Sequence, residues 1–360
     1  MTSLRHLLAG IAACLLAAGA TAGEPCRIAF DMGSSGIRAG STGHAEVPRA
    51  DIDYLTPLTA GRGLAETLPA TASALRNLPA SAGFASDCIR IGGGFSAWRL
   101  AASEDRQQLA NDLAALRRDT GVAVLVIPQR QEGAYGYVGA RQLLGPRLTT
   151  SHILDIGGGS LQVAGADTGF GETLGQKVWH RQLCRELRGT DAASCKLQPL
   201  SRDELATARR LIDEKLSGIP AALPVGAMTL TAISRPVSRG VAPAVSRLTA
   251  GEGGSSVLRQ ADLAGAIAQL AALDREATAT RVGARPDFAA YLLSDMLLVE
   301  GVLRATGVDA LQVAEIDLTN LPGLLADDRA YAWERHFACY LDRLREQGLE
   351  AYASDPETCR

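Results

Sequence analysis

The chain is 360 residues long and nearly neutral, with 36 Lys and Arg against 39 Asp and Glu. No basic arm or stripe interrupts that balance, which excludes charge-driven nucleic-acid binding and polybasic docking on an anionic membrane, so an anionic ligand has to be held by a local site. About 340 residues beyond a leader suffice for two domains with real cores.

The chain opens with a basic pair, Arg5 and His6, an apolar run over residues 7–20, and a small-residue Ala20-Thr21-Ala22 site. This is the layout of a cleavable secretory signal over residues 1–22, with Gly23 as the first mature residue. The run is shorter than the ~20 residues that span a bilayer. Ile11-Ala12-Ala13-Cys14 also resembles a lipoprotein box, but the apolar residues 15–20 that follow it favour the signal peptide. The expectation is a periplasmic or secreted protein with no membrane span after cleavage. Six cysteines remain beyond Cys14, and an even count in an oxidising compartment reads as disulfides whose connectivity the sequence leaves open. Nearness in the chain favours Cys184 with Cys195 and Cys339 with Cys359, leaving Cys26 with Cys88. The five histidines, at positions 6, 44, 152, 180 and 336, show no metal-ligand spacing with Cys, so no zinc site is expected.

Residues 26–31 form a short apolar run that stops at Met32-Gly33-Ser34-Ser35-Gly36, the pattern of a buried strand and its hairpin. Runs of the same kind follow at 88–91, 122–127 and 153–156. Between them, Ser103-Glu104-Asp105 caps a helix through Arg118 in which Leu109, Leu113 and Leu116 recur at helical spacing. Strands alternating with helices give an α/β class with a mostly parallel sheet. The unit Ile153-Leu154-Asp155-Ile156-Gly157-Gly158-Gly159-Ser160 repeats the first one, an apolar strand ending in Asp before a Gly/Ser turn, and suggests two related domains facing each other. The expected division is a first domain over 23–148, a second over 149–328, and a C-terminal helix and tail over 329–360. Residues 201–215 and 263–273 read as helices, 288–306 as an apolar core helix, 240–256 as a loop, and 331–345 as a surface helix held by a C-terminal disulfide.

Two Gly/Ser turns, each led by an acidic residue, carry the chemistry. Successive backbone N–H groups of such a turn converge on an anion, and small side chains let phosphate oxygens approach. A carboxylate at each strand end is placed to hold a hard cation that neutralises phosphate.

These residues resemble a known family. Asp31-Met32-Gly33-Ser34 with Arg38 is similar to the first phosphate motif of the exopolyphosphatase/guanosine pentaphosphate phosphatase family, and Asp155-Ile156-Gly157-Gly158-Gly159-Ser160 to its second. Ala97-Trp98-Arg99-Leu100-Ala101 resembles the segment with the family's phosphate-binding arginine, Gln131-Glu132-Gly133-Ala134 the one with its catalytic glutamate, and Thr173-Leu174-Gly175-Gln176-Lys177 its Leu-Gly turn. The resemblance runs over residues 27–325. It implies two ribonuclease H-like domains of the actin-like ATPase type around an interdomain cleft. It further implies Glu132 as the residue that activates water, Asp31 and Asp155 as holders of Mg2+ or Mn2+, and Gly33, Ser34, Ser35, Arg38, Arg99, Gly157, Gly158, Gly159 and Ser160 as phosphate ligands. In this superfamily the first strand pairs with the one entering the arginine segment, which implies that Cys26 and Cys88 lie side by side.

The pattern also departs from the family. Ser35-Gly36 stands where Asn-Ser is usual, Gln162 where the second motif carries Glu, and Gly94-Phe95-Ser96 lacks a threonine; residues 232–237 replace a Gly-Gly-Thr turn. The function implied is release of terminal phosphate from polyphosphate or a related phosphoanhydride. The alternatives are a phosphate- or polyphosphate-binding protein without turnover, and a nucleotide phosphatase acting on (p)ppGpp or nucleoside triphosphates. The expected partner is a phosphate-rich small molecule or polyphosphate, not nucleic acid, and a homodimer is left open.

Overall fold

Each parallel strand pair in this chain is fed by a helical crossover, because parallel neighbours cannot be joined by a tight turn. In the computed structural model, which describes residues 26–192, 194–249, 256–317 and 320–359, this produces two sheets. The first contains β1 (Arg27–Met32), β2 (Gly36–Ser41), β3 (Arg49–Asp51), β4 (Ile89–Gly94) and β5 (Ala123–Val126) in the order β3-β2-β1-β4-β5. The second contains β6 (His152–Ile156), β7 (Leu161–Ala164), β8 (Gly169–Glu172), β9 (Leu230–Ala232), β10 (Val257–Arg259) and β11 (Ala310–Val313), ordered β10-β11-β9-β6-β7-β8. Read from β8, the second sheet repeats the first: an antiparallel meander of three strands, then two parallel strands. β10 is an antiparallel addition at the edge. The first 22 residues and Cys14 lie outside the described part of the chain.

β1 and β6 are continuous apolar runs because each lies inside its sheet with neighbours on both sides. Around them sit two hydrophobic cores, one per sheet. A smaller cluster joins Ala140 and Leu144 to Ile153, Ala164 and Ile233. This places the helix Gln129–Leu144, which sequence order assigns to the first domain, directly on the second sheet. Its small residues allow the approach: a Cβ at Gly133 would stand 3.0 Å from the Ala164 Cβ.

Three sequence expectations need correction. Residues 240–249 are helical, not a loop: a π turn over Pro236–Val241 runs into the helix Ala242–Thr249. Val241, Ala244 and Val245 are buried in the second core, and their helical spacing outweighs the Gly/Ser composition. Residues 331–345 are not one surface helix but two, Asp328–Arg335 and Phe337–Gln347. Trp333 and Tyr340 are fully buried in the first core, so the chain's end returns to the domain with which it began. Finally, His180, Cys184 and Cys195 come within 4.8 Å of one another. The signal was the four-residue step from His180 to Cys184 along one helix; both sulfurs are, however, joined to each other.

All three disulfides are present, Cys26–Cys88, Cys184–Cys195 and Cys339–Cys359, with Cα separations of 4.7, 6.3 and 6.0 Å. The first joins the residues preceding β1 and β4, which pair in parallel from Arg27 opposite Ile89. Three disulfides point to an oxidising, extracellular environment. No helix among the described residues is long and apolar enough to cross a membrane.

Candidate active site

The two acidic Gly/Ser turns are equivalent hairpins. In the first, the Gly33 N–H donates to the Gly36 carbonyl at 3.0 Å; in the second, the Gly157 N–H donates to the Ser160 carbonyl at 2.9 Å. The turns meet. A Cβ at Gly158 would lie 2.8 Å from the Ser34 hydroxyl, and one at Gly159 would lie 2.1 Å from the hydroxyl of Ser96. Glycine at 158 is therefore a condition for closing one turn onto the other. Ser34 and Ser160 are buried at this seam, whereas Ser35 is exposed. Ser35 instead borders a cavity of about 100 Å³ with Asp31, Gly33, Arg38 and Arg49.

The carboxylates gather beside the seam. Burial pushes Asp31 up to about 6 despite the nearby Arg38 and a hydrogen bond from Asn320, with the charge of Glu132 adding to the rise. Burial likewise raises Asp155 to about 7, reinforced by Glu132 and Asp31 and opposed by Arg38. The Glu132 charge thus acts on both aspartates and that of Asp31 on Asp155, although 124 positions separate the two aspartates. No ion pair among the described residues involves Arg38, so its charge is free to face an anion.

Glu132 lies in the first turn of the helix Gln129–Leu144. Its Oε2 stands 2.6 Å from Nη2 of Arg99 and accepts from Nε2 of Gln162 at 2.8 Å. Arg99 also donates to the Ile127 carbonyl at 2.9 Å, and only 3% of it is exposed. The arginine that the resemblance makes a phosphate ligand is thus ion-paired with the glutamate, while its Nε and Nη2 have no hydrogen-bond acceptor. The helix start is anchored from the other side, because Gln131, Tyr135 and Tyr352 all donate to Oδ2 of Asp327.

The donor set fits a hard divalent cation. Burial and the neighbouring acids disfavour the charged forms of Asp31 and Asp155, with Arg38 opposing, so a cation held between them would favour their ionisation. Oxygen-only ligands of this kind suit Mg2+ or Mn2+ and not a thiophilic metal.

Five residues beside the site are not singled out by the sequence. Ser96 abuts the second turn, Asn320 bonds Asp31, and the Ser234 hydroxyl accepts from the Ile156 N–H at 3.0 Å. Lys177 reaches the seam from the helix Gln176–Arg188, and Asp295 accepts from Gln176 at 2.5 Å. Ser96 and Lys177 lie within the motif segments, and Ser234 within residues 232–237, which replace the Gly-Gly-Thr turn. The others arrive from distant parts of the chain, and nothing local marks them.

Two meander-plus-parallel sheets with facing acidic glycine turns define an actin-like ATPase fold. A family model described as the Ppx/GppA phosphatase family matches residues 107–320. The chain belongs to that family. Among solved structures it is similar to a Ppx/GppA phosphatase of Aquifex aeolicus, at 16% identity and a TM-score of 0.58, covering 84% of this chain and 98% of that one. It is also similar to an exopolyphosphatase from Cytophaga hutchinsonii, at 17% identity and a TM-score of 0.57, over 83% of this chain and 96% of that one. At such identities these likenesses establish the fold. No curated protein matches the sequence.

Proposed function

We propose that this chain is an exported phosphohydrolase that releases terminal phosphate from inorganic polyphosphate or a related phosphoanhydride. The observation that carries the reading is Glu132, held by Arg99 and Gln162 beside two facing phosphate-type turns and two buried aspartates. Hydrolysis of a phosphoanhydride asks for charge neutralisation, in-line placement and a positioned water. The Gly33 and Gly157 N–H groups close the hairpins, so the backbone N–H groups of Ser34 and residues 158–160 bind the terminal phosphate, and Arg38 neutralises its non-bridging oxygens. Asp31 and Asp155 would hold Mg2+ or Mn2+, which supplies further charge neutralisation when bound. Glu132 orients a water through its Oε1 and takes its proton, while Arg99 and Gln162 fix the carboxylate through Oε2.

Export rests on the leader-like residues 1–22 together with three disulfides. Guanosine tetra- and pentaphosphate are cytoplasmic signals, so polyphosphate or an external nucleotide is the better substrate for a protein outside the cytoplasm. A second reading, a polyphosphate-binding protein without turnover, is favoured by one feature: the Glu132 carboxylate is already paired with Arg99, and Gln162 replaces a second carboxylate. Phosphate release by the oxidised mature protein decides between them. With Mg2+ present, short and long polyphosphate, ATP and guanosine pentaphosphate are offered in parallel. Steady release from polyphosphate supports the enzyme, and tight binding with no release supports the binding protein.

A further inference from the structure

We propose that Lys177 is a specificity-determining residue that binds the second phosphate of a condensed-phosphate chain whose terminal phosphate sits between the two glycine turns. The proposal deepens the phosphohydrolase reading and rests on it for the position of the terminal phosphate.

Four observations place the ammonium there. The Lys177 N–H donates to the Gly158 carbonyl at 2.9 Å, which fastens its backbone to the second turn. Its Cδ lies 3.9 Å from the point a Cβ on Gly158 would occupy, and that same point is 2.8 Å from the Ser34 hydroxyl. The aliphatic stem therefore runs along the line where the two turns meet. The charge also reaches the first domain at Asp53: burial would raise that carboxyl, but the hydrogen bonds of Thr56 and then the Lys177 charge hold it below the usual range. Asp53 belongs to the loop tied to the first turn, in which the Ile52 and Tyr54 N–H groups donate to the carbonyls of Ser35 and Ser34, both at 3.2 Å.

Lys177 nevertheless has no committed partner. The Asp53 carboxylate is occupied by the N–H groups of Leu55 and Thr56 and by the Thr56 hydroxyl. No ion pair among the described residues involves Lys177. A lysine serving solubility alone extends into water; this one is half-buried, with its stem laid against a glycine turn.

Depth decides which phosphate it meets. Asp31, Glu132, Arg99 and Gln162 are all buried, and the terminal phosphate belongs beside them. Lys177 and Asp53 lie further out, on the rim. A chain leaving the seam presents its next phosphate at that rim, one bridging oxygen away. A compact ammonium on a flexible stem tolerates any rotation of a tetrahedral phosphate and so suits a repeating chain. Lys177 would thereby favour substrates with two or more consecutive phosphates over single phosphates.

The test compares the oxidised mature protein with Lys177→Gln and Lys177→Arg. Calorimetry gives the affinities for inorganic phosphate and tripolyphosphate, and steady-state kinetics give kcat and KM for tripolyphosphate. Thermal melts check that each variant is folded. Loss of one charged contact should weaken tripolyphosphate binding and raise its KM about tenfold in Lys177→Gln, with kcat within about twofold, phosphate affinity unchanged, and Lys177→Arg near wild type. A parallel loss for phosphate and tripolyphosphate, or no loss for either, overturns the assignment. Should the wild type bind tripolyphosphate through Lys177 yet release no phosphate, the phosphohydrolase reading falls and the assignment stands. Hydrolysis with an unaltered KM in Lys177→Gln overturns the assignment and leaves the phosphohydrolase standing, and a wild type that neither binds nor hydrolyses tripolyphosphate removes both.

Discussion

The two hairpins share a backbone but differ at one register position. On the strand opposite the leading aspartate, Asp31 faces Arg38 in the first hairpin, and Asp155 faces Gln162 in the second. Arg38 lies close enough to lower both aspartates; on Asp31, directly opposite it, its charge ranks next after burial, whereas on Asp155 it ranks last, after burial and the charges of Glu132 and Asp31. Gln162 carries no charge and spends its amide on Glu132. Duplicated architecture has thus been divided by function: one hairpin supplies charge, and the other aims a carboxylate. The replacement of a family glutamate by Gln162 then reads as a change in how Glu132 is held.

The largest expected effect tests that division. Glu132→Gln keeps the shape and loses the base, so turnover on tripolyphosphate should fall about 10²–10⁴-fold while its affinity stays within a few-fold. Stopped assays with calorimetry measure both, and unaltered turnover would show that Glu132 only braces Arg99.

Asp295 is a buried acid of the second half. Burial lifts it to about 8, with only a Gln176 hydrogen bond opposing. Its other carboxyl oxygen is buried without a partner, which suits a protonated group. Unfolded, it ionises near pH 4, as an ordinary aspartate does. The folded state therefore binds the extra proton between these values; its contribution is complete below the lower one and is lost as pH rises through about 8. In urea unfolding from pH 5 to pH 8, where Asp31 and Asp155 also lose stability, Asp295 should account for on the order of 2–4 kcal/mol of the fall, and Asp295→Asn should make the slope shallower by that amount. Parallel slopes would mean that the carboxyl is ionised in the fold.

The glycines around the turns separate the hairpins again. A Cβ at Gly175 would stand 2.4–2.5 Å from backbone atoms of Gly157, Gly159 and Ser160, whereas one at Gly33 meets nothing within 4 Å. Gly175→Ala should cost about 1–3 kcal/mol in urea unfolding, with Gly33→Ala near wild type. Equal losses would mean that the two turns are supported alike.

The smallest effect comes from making the first hairpin resemble the second. Arg38→Gln should raise the KM for tripolyphosphate about tenfold, the scale of one charge-assisted hydrogen bond, with kcat changed less. If KM is unmoved, Arg38 serves only to hold Asp31.

Much of this protein is written in local pattern. Apolar runs ending at Asp before Gly/Ser turns mark β1 and β6, Asp105 caps its helix by accepting from Gln108, and Ser201 closes a capping box with Glu204. Such signals act between residues a few positions apart, so the chain carries them wherever it folds. The disulfide between Cys26 and Cys88 was legible for a different reason: both cysteines begin strands that the resemblance makes neighbours.

What only the tertiary structure decided involves groups far apart in the chain. Arg99 and Glu132 each resemble a family motif, yet nothing local says that they bind each other; their pairing depends on the helix Gln129–Leu144 lying between the sheets. Trp333 and Tyr340 read as residues of a surface helix until the chain's return to the first core buries them. Asn320 and Asp295 reach the site from segments with no motif. Lys177 acquires meaning only when the second turn closes on Ser34. A side chain's partners and its distance from water are properties of packing, and no window along the sequence contains them.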